Sequence, residues 1–244
     1  MRLTRVHVEA PLAAGQRVVI EGSAANHITR VLRLRTGDAI AVFNGNGAEF
    51  AARVEEFRKG SVLVEVEEER AADRESPLSV TLAQGISRGE RMDWILQKAT
   101  ELGASRIVPV LTERSVVRLD SKQAEKKLQH WRGIAIAACE QCGRNRVPEI
   151  ALPTPFFEFV GSTSGSVATR LLLSPIATAS VDQVNAGAPG VTLLIGPEGG
   201  LTETEQEVAQ RSGFTSVRMG PRVLRTETAA IAALTILQHR FGDL

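Results

Sequence analysis

Apolar and polar positions alternate with a period of two over the first 72 residues, as they do in half-buried β-strands. Strands are predicted at residues 4–8, 17–20, 39–43, 48–55 and 61–67, with a turn at 44–47. An amphipathic helix is predicted at 23–34, capped by Ser23 and ended by Gly37-Asp38. Five short strands and one helix in about 70 residues favour a small β-barrel over a βαβ unit.

A polar stretch at residues 68–77 has the composition of a linker, and strands then alternate with helices. The sequence predicts strands at 78–83, 106–111, 171–174, 191–195 and 215–219, and helices at 88–102, 121–140, 203–212 and 227–241. Gly103 is expected to end the first helix, and Thr202-x-x-Glu205 is a capping box. This alternation predicts an α/β domain, a parallel sheet with helices on both faces. We therefore divide the chain into domains 1–72 and 73–244.

The last predicted helix is apolar nearly all round between residues 229 and 237. A helix at the surface of a monomer would show a polar face. This helix is therefore expected either at the centre of the fold or against a second subunit.

Composition narrows the class of protein. With 43% hydrophobic and 23% charged residues the chain resembles an ordinary soluble globular protein. It has no apolar run of the roughly 20 residues that span a bilayer, and its first residues lack a signal-peptide pattern. A cytoplasmic protein without membrane contact is expected. The net charge of +1 by itself neither favours nor opposes binding of nucleic acid, but residues 1–37 hold six arginines against two glutamates.

Cys139 and Cys142 form a C-x-x-C pair without a second pair to complete a tetrahedral metal site. The pair falls within a helical pattern rather than at the start of a helix after a strand, where a redox motif is expected. Reduced structural thiols and no metal are predicted.

Two glycine-bearing segments carry the strongest chemical signal. Gly196-Pro197-Glu198-Gly199-Gly200 and the segment 220–228 each follow a predicted strand and lead into a helix. Such turns lie at the carboxyl edge of a parallel sheet, where α/β proteins bind ligands. Neither segment is a dinucleotide or Walker A fingerprint. A carboxylate in a glycine turn suits a ligand with hydroxyls, an amine or a positive charge, such as an adenosine with a sulfonium; the alternative is a tight turn without a ligand.

The second segment reads Leu224-Arg225-Thr226-Glu227-Thr228. Thr226 could cap the last helix and Glu227 could complement its dipole, so capping alone explains both. Arg225 is not needed for capping.

Basic residues also cluster in short segments. Arg88 and Arg91 lie at the beginning of the predicted helix 88–102, Arg144 and Arg146 follow another helix, and Arg30 and Arg33 share a predicted helix face. Together such residues could follow a phosphate backbone; the alternative is a solvated surface.

Six motifs in the same order resemble those of the RsmE-type small-subunit ribosomal RNA uridine-N3 methyltransferases, a family of the SPOUT superfamily. They are Asn26-His27-Ile28-x-x-Val31-Leu32-Arg33 with Gly37-Asp38, Gln97-Lys98-Ala99-Thr100-Glu101-Leu102-Gly103, Glu113-Arg114-Ser115-Val116-Val117, Cys139-Glu140-Gln141 with Arg144, the segment 196–200, and the segment 220–229. The resemblance covers almost the whole chain.

The resemblance implies a PUA-like barrel that holds RNA, followed by a methyltransferase domain with a deep trefoil knot and a homodimer through knot helices. It implies that S-adenosylmethionine lies bent in the knot. The implied cofactor-binding residues are Leu172, Leu173, Ser174, Ile195, Gly196, Glu198, Gly199, Gly200, Met219, Gly220, Leu224, Thr226, Thr228 and Ala229.

The implied reaction is methylation of N3 of a uridine, uridine 1498 of 16S ribosomal RNA in the family. Uridine N3 carries a proton at neutral pH, so attack requires a base or a cation that stabilises the uridinate. Arg225 is the candidate for the cation and Glu198 for the proton acceptor, unless Glu198 only shapes the cofactor loop. RNA contact is assigned to Arg5, His27, Arg30, Arg33, Arg88 and Arg144. The alternatives are another base or a ribose 2′-hydroxyl as acceptor, a non-catalytic RNA-binding ribosome-assembly factor, or an unrelated nucleotide-binding protein.

Overall fold

The computed structural model describes residues 3–115, 119–163, 165, 167–185 and 190–244. The chain forms two compact units. One contains Met1–Glu75 and Ile136–Val147, and the other contains Ser76–Ala135 and Pro148–Leu244. The division after Glu75 is three residues from the predicted boundary. The segment Ile136–Val147 was not expected in the first unit, because a helical pattern does not show which core each turn of the helix packs against.

Five strands form the sheet of the first unit: β1 (Thr4–His7), β2 (Arg17–Glu21), β3 (Ala39–Phe43), β4 (Glu49–Arg58) and β5 (Ser61–Arg70). Their order is β1-β3-β4-β5-β2, with β1 parallel to β3 and the other pairs antiparallel. The register of β4 against β5 shifts twice, and such bulges bend a sheet. Alternate residues such as Val18, Ile20 and Val64 are buried. The five predicted strands are confirmed.

The helical segment of this unit is shorter than predicted. Helix α1 (Gly22–Asn26) continues as a π-helical turn, His27–Val31. Arg33 follows with a φ of +52°, a left-handed conformation that is uncommon outside glycine. The prediction that Ser23 caps the helix is wrong, because the N-cap position is Glu21 and, within the described part of the chain, no side chain caps it. Arg30 and Arg33 do not share a helix face, since the helix ends between them.

The second unit contains a parallel sheet of β6 (Val80–Gly85), β7 (Arg106–Leu111), β8 (Glu149–Ile150), β9 (Thr154–Pro155), β10 (Thr169–Leu173), β11 (Val191–Ile195) and β12 (Thr215–Val217). The strand order is β12-β10-β11-β6-β7-β8, and β9 also pairs with β7. Every recorded pair in this sheet is parallel. The predicted α/β architecture is confirmed.

Helices cover both faces of this sheet, as predicted. They are α2 (Glu90–Glu101), α3 (Ser121–Cys142), α4 (Phe156–Ser162), α5 (Glu203–Arg211) and α6 (Thr226–Phe241). Neighbouring residues of β11 face opposite sides: Leu193 packs in a core with residues of α2 and α6, and Leu194 in a core with residues of α4 and α5. This alternation is the period of a strand buried on both faces. Helix α4 was not predicted, because its apolar run is only one to two turns long.

Two of the predicted helix signals are confirmed. Gly103 follows α2 with a φ of +79°, and its backbone N–H donates to Thr100. Thr202 and Glu205 form the capping box of α5, with both reciprocal hydrogen bonds present. These local signals hold because capping depends on neighbouring residues alone.

Helix α6 is central to the second unit. Ala230, Ala233, Leu234 and Leu237 are at most 1% exposed, whereas Thr228 is exposed. Helix α6 also packs against α2. The apolar character of this helix is thus explained in large part by the core. No helix within the described residues combines the length and the apolar character that crossing a membrane requires.

Candidate active site

Three loops of the second unit meet at one edge of its sheet. They follow β10, β11 and β12, which are neighbours or near neighbours in the strand order. Because the three strands run parallel, their carboxyl ends lie on the same side. The loops line a cavity of about 730 Å³, which lies in the range of small-molecule and cofactor sites.

The cavity brings together the residues that the sequence assigned to a cofactor, with one exception. Those lining it are Leu172, Leu173, Ser174, Ile195, Gly196, Glu198, Gly199, Gly200, Met219, Gly220, Leu224, Thr226 and Ala229. The exception is Thr228, which lies exposed on α6 and does not line the cavity. Buried apolar side chains, such as Leu172 and Ile195, share the wall with glycine backbone.

The glycine loop after β11 is held by close backbone packing. The N–H of Gly200 donates to the carbonyl of Pro197 at 2.8 Å, and Gly200 has a φ of +69°. On the neighbouring strand, a Cβ placed on Gly85 would come within 2.4 Å of the Pro197 nitrogen. Glycine at position 85 therefore allows the end of β6 to approach the loop.

Gln84 joins three elements beneath the cavity, and the sequence patterns did not predict it as a site residue. Its side chain is fully buried, and its Nε2 lies 2.9 Å from Thr226 Oγ1, 3.0 Å from the Gly85 carbonyl and 3.3 Å from the Gly196 carbonyl. The available signal was a long polar side chain at the carboxyl end of an otherwise apolar strand.

Thr226 does not cap α6, contrary to the sequence-based hypothesis. The N-cap position is Arg225, and none of the residues that the structure describes makes a side-chain cap hydrogen bond there. The Thr226 hydroxyl instead donates to the carbonyl of Gly196 at 2.7 Å. It thus ties the start of α6 to the glycine loop.

Charged side chains surround the cavity. Four arginines and two glutamates line it: Arg91, Arg114, Arg222, Arg225, Glu198 and Glu227. Arg114 Nη1 donates to the carbonyl of Gly199 at 3.1 Å. Two members of its motif, Val116 and Val117, lie outside the described residues. An excess of positive charge at a concave site attracts anionic ligands.

Glu198 is held as an ion pair. Its Oε1 accepts hydrogen bonds from Arg91 Nη1 at 2.8 Å and from the backbone N–H of Arg88 at 3.1 Å. Partial burial acts to raise the pKa of Glu198, but the hydrogen bond from Arg91, together with backbone hydrogen bonds, outweighs it and lowers the pKa. A carboxylate with a lowered pKa is a weaker base at neutral pH, which opposes the predicted role of Glu198 as proton acceptor.

Arg225 lies exposed at the start of α6 and lines the cavity. Among the described residues, none forms a recorded hydrogen bond or ion pair with its side chain. Its guanidinium group is therefore available to a ligand. The role in stabilising charge on uracil oxygens stays a prediction.

The residues assigned to RNA differ in exposure. Arg30 and Arg33 are exposed in the first unit and His27 is half-buried, whereas Arg88 is exposed in the second unit. Arg5 and Arg144 are 7% and 5% exposed and pair with Glu49 and Glu75. Burial and ion pairing oppose a contact of Arg5 or Arg144 with RNA.

Cys139 and Cys142 are free thiols, and Cys139 is buried. Burial raises the pKa of Cys139 to about 12, so the thiol stays protonated and unreactive at neutral pH. Across the described residues, no group of three or more His, Cys, Asp or Glu side chains is arranged to hold a metal ion.

Comparison with known proteins agrees with this fold. Residues 74–238 match the family model described as an RNA methyltransferase domain, and residues 20–67 match an RNA methyltransferase PUA domain. The chain thus has the domain composition of an RNA methyltransferase.

Relatives specify the family further. The ribosomal RNA small subunit methyltransferase E of Buchnera aphidicola (Schizaphis graminum) is 35% identical, with 100% of this chain and 98% of that protein covered. The enzyme of that name from Bacillus subtilis is 34% identical, with 91% and 89% covered. The chain belongs to the ribosomal RNA small subunit methyltransferase E family.

Two solved structures resemble the chain over its full length. A Legionella pneumophila methyltransferase in complex with S-adenosylmethionine has a TM-score of 0.95 and 40% identity, with both chains fully covered. Methyltransferase E of Neisseria gonorrhoeae, bound to the same cofactor, has a TM-score of 0.92 and 37% identity, also with full coverage.

Proposed function

We propose that this protein transfers the methyl group of S-adenosylmethionine to N3 of a uridine in 16S ribosomal RNA, at the family's site, uridine 1498. The observation that carries the proposal is the cavity at the carboxyl edge of the parallel sheet, where the glycine loop meets the start of α6. The similarity to two structures that hold the cofactor supports it.

The residues around the cavity fit S-adenosylmethionine. Half-buried Leu173 and Leu224 offer apolar surface for adenine, and Gly196 and Gly200 leave the backbone accessible to ribose hydroxyls and the amine. The volume of about 730 Å³ accommodates a cofactor with space for an acceptor base. When bound, the cofactor supplies an electrophilic methyl group on a sulfonium.

The side chains at the cavity have distinct proposed tasks. Arg225, without a recorded partner among the described residues, stabilises negative charge that develops on the uracil oxygens. Glu198, already paired with Arg91 and the Arg88 backbone, shapes the cofactor loop. The target base must leave any stack to reach these groups, so single-stranded or flipped RNA is the expected substrate.

RNA binding is proposed for exposed basic residues of each unit. Arg30 and Arg33, with His27 near them in the sequence, form the candidate RNA-binding surface of the PUA-like unit. Arg88 is the candidate RNA contact in the methyltransferase unit. Exposed arginines suit bidentate phosphate contacts. Arg5 and Arg144 are left out of this surface because they are buried.

We extend the proposal to the family's trefoil knot, homodimer and cytoplasmic location. Two features support a dimer: α6 keeps Ile231 and Ile236 half-buried, and Trp94 of α2 is 49% exposed. Helix α2 packs on α6, so these groups belong to neighbouring helices. Sedimentation analysis is expected to give a dimer; a monomer at micromolar concentration would contradict it.

The test is methyl transfer from labelled S-adenosylmethionine to small ribosomal subunits that lack the native mark. The product nucleoside is identified by mass and chromatographic retention, and the modified position by primer extension. N3-methyluridine at one position supports the proposal. Another methylated base or a ribose 2′-O-methyl product would show that the methyl acceptor is an atom other than uridine N3. Cofactor binding without transfer would indicate another RNA, and neither binding nor transfer would favour a non-catalytic assembly factor.

A further inference from the structure

The two carboxylates that line the cavity differ in their hydrogen bonding. Glu198 accepts two hydrogen bonds, from the Arg88 backbone and the Arg91 side chain. Glu227, in the first turn of α6, is 9% exposed, and among the described residues none donates a hydrogen bond to its Oε2. Glu198 is therefore held in an ion pair through Oε1, whereas Glu227 has a buried oxygen with no donor among the described residues.

A buried carboxylate without a donor costs free energy, since it has lost water and gained no partner. The N-terminus of α6 favours a negative charge at this position but supplies no recorded hydrogen bond to Oε2. Buried polar atoms without partners are few in folded proteins, and a catalytic role is one explanation for such an atom. Because Glu227 lines the cavity, a donor group on a bound ligand could supply the missing hydrogen bond to Oε2.

Other charged groups face Glu227 around the cavity. They are Arg91 from α2, Arg114 from the segment after β7, Glu198 from the loop after β11, and Arg222 and Arg225 from the segment before α6. The hydrogen bond from Arg91 to Glu198 raises the pKa of Arg91, and the negative charge of Glu227 contributes in the same direction. Arg91 thus lies within the field of both carboxylates while its hydrogen bond is to Glu198.

We infer that Glu227 is the proton acceptor for the N–H group at N3 of the target uridine. The inference rests on the proposed function and names the catalytic base within that site. Glu198 is less suited because its Oε1 is held in an ion pair with Arg91, whereas Glu227 has a buried oxygen without a donor among the described residues and lies two residues from Arg225, the candidate for stabilising the uridinate.

Proton transfer to Glu227 accompanies formation of the new nitrogen–carbon bond. The N3 proton moves to a carboxylate oxygen of Glu227, and the N3 electron pair forms the bond to the methyl carbon as the carbon–sulfur bond breaks. The electron pair of that bond stays on sulfur, so the sulfonium becomes a neutral thioether. Glu227 leaves the step as a carboxylic acid and returns its proton to solvent.

The first test compares Glu227→Gln with Glu203→Gln. Glu203 is also an acid in the first turn of a helix, but it is exposed and does not line the cavity. Glu227→Gln is expected to lower the rate of transfer at least about a hundredfold, with affinity for S-adenosylhomocysteine, measured by calorimetry, within about threefold of wild type. Glu203→Gln is expected to retain wild-type transfer. Equal transfer by Glu227→Gln and wild type would overturn the inference.

A second test separates proton transfer from a structural role. Fluorine at C5 makes uridine N3–H more acidic, so reconstituted subunits carrying 5-fluorouridine need less help from a base. With these subunits the transfer rate of Glu227→Gln is expected to rise by a larger factor than the transfer rate of wild type. A rise in pH should also increase the rate of the variant more than that of wild type. A loss that neither change relieves would assign Glu227 to structure, and a tenfold loss of cofactor affinity would assign it to the cofactor.

Glu227→Asp keeps the carboxylate and is expected to retain more transfer than Glu227→Gln at equal thermal stability. This variant keeps the test decisive if glutamine destabilises α6. If wild-type protein itself forms no N3-methyluridine, the proposed function fails; if wild type forms it and Glu227→Gln forms it equally fast, only this inference fails.

Discussion

Gln84 Nε2 donates a hydrogen bond to Thr226 Oγ1 over 2.9 Å, although the two residues are 142 positions apart in the chain. Gln84 lies near the end of an inner strand of the sheet, and Thr226 begins α6 and donates its own hydroxyl proton to the Gly196 carbonyl. This buried chain of hydrogen bonds fixes the distance between the two loops that line the cavity.

Replacing Gln84 by Leu is expected to weaken binding of S-adenosylhomocysteine and to lower the free energy of unfolding by about 1–3 kcal/mol, the cost of leaving buried partners unsatisfied. Calorimetry and urea unfolding measure the two effects. Thr226→Val and the double variant complete a cycle, in which the double variant should lose less than the sum of the single variants. Strict additivity would show that the hydrogen bond contributes no coupling.

Gly85→Ala is expected to weaken cofactor binding at least tenfold, because its Cβ would lie 2.4 Å from the Pro197 nitrogen and displace the glycine loop. Gly133→Ala is the matched control: Gly133 lies within α3 and has no atom within 4 Å of an added Cβ. The control should bind normally and gain up to about 1 kcal/mol of stability from helix propensity. Normal binding by Gly85→Ala would show that this close approach does not support the site.

Arg5→Met is expected to destabilise the first unit by up to about 3–5 kcal/mol, because it removes the buried arginine paired with the buried Glu49 carboxylate and leaves, among the described residues, only the more exposed Arg70 and Arg74. The exposed pair of Arg17 and Glu55 provides the comparison, since Arg17→Met should cost about 1 kcal/mol or less. Chemical unfolding followed by circular dichroism measures both. A stable Arg5→Met variant with weakened RNA binding would instead support the original RNA assignment.

The double variant Arg30→Glu with Arg33→Glu is expected to lower RNA affinity. The slope of the logarithm of the binding constant against the logarithm of the salt concentration should become smaller by roughly one for each phosphate that the variant no longer binds. Binding to ribosomal RNA is measured over a series of salt concentrations. Arg58→Glu, at an exposed position in the same unit, should leave the slope unchanged. Unchanged affinity in the double variant would exclude this surface from RNA binding. Calorimetric affinity for S-adenosylhomocysteine should be the same in wild type and both variants.

Stability is expected to fall as the pH rises above about 9. The pKa of Cys139 is about 12 in the folded protein against an ordinary value of 9.0, so over this interval the unfolded chain loses the thiol proton and the folded protein keeps it. Cys139→Ala should flatten this part of the pH profile in urea unfolding. Cys142→Ala is the control and should leave it unchanged. Alkylation of Cys139 at pH 8 should likewise require unfolding.

Local patterns predicted much of the fold. Short apolar runs placed β3, β7 and β11 at their observed bounds, and the capping box of Thr202 and Glu205 marked the start of α5. Helix α4 and the short strands β8 and β9 were missed because two to seven residues carry too little periodicity. The order of strands was also beyond the pattern, since parallel neighbours can lie far apart in sequence.

Neighbouring residues along the chain were enough to specify the α/β class and the position of the glycine loop, and the motifs were enough to predict the cofactor. The assignment of individual residues to that cofactor stays a prediction. The roles of the charged and polar side chains emerged only from tertiary packing. Packing buried Arg5 and Arg144 in ion pairs, placed Gln84 beneath the site, and gave Glu198 partners while leaving Glu227 Oε2 without a donor among the described residues. The physical reason is that the pairing and burial of a side chain depend on residues distant in the sequence, which a local pattern does not reveal.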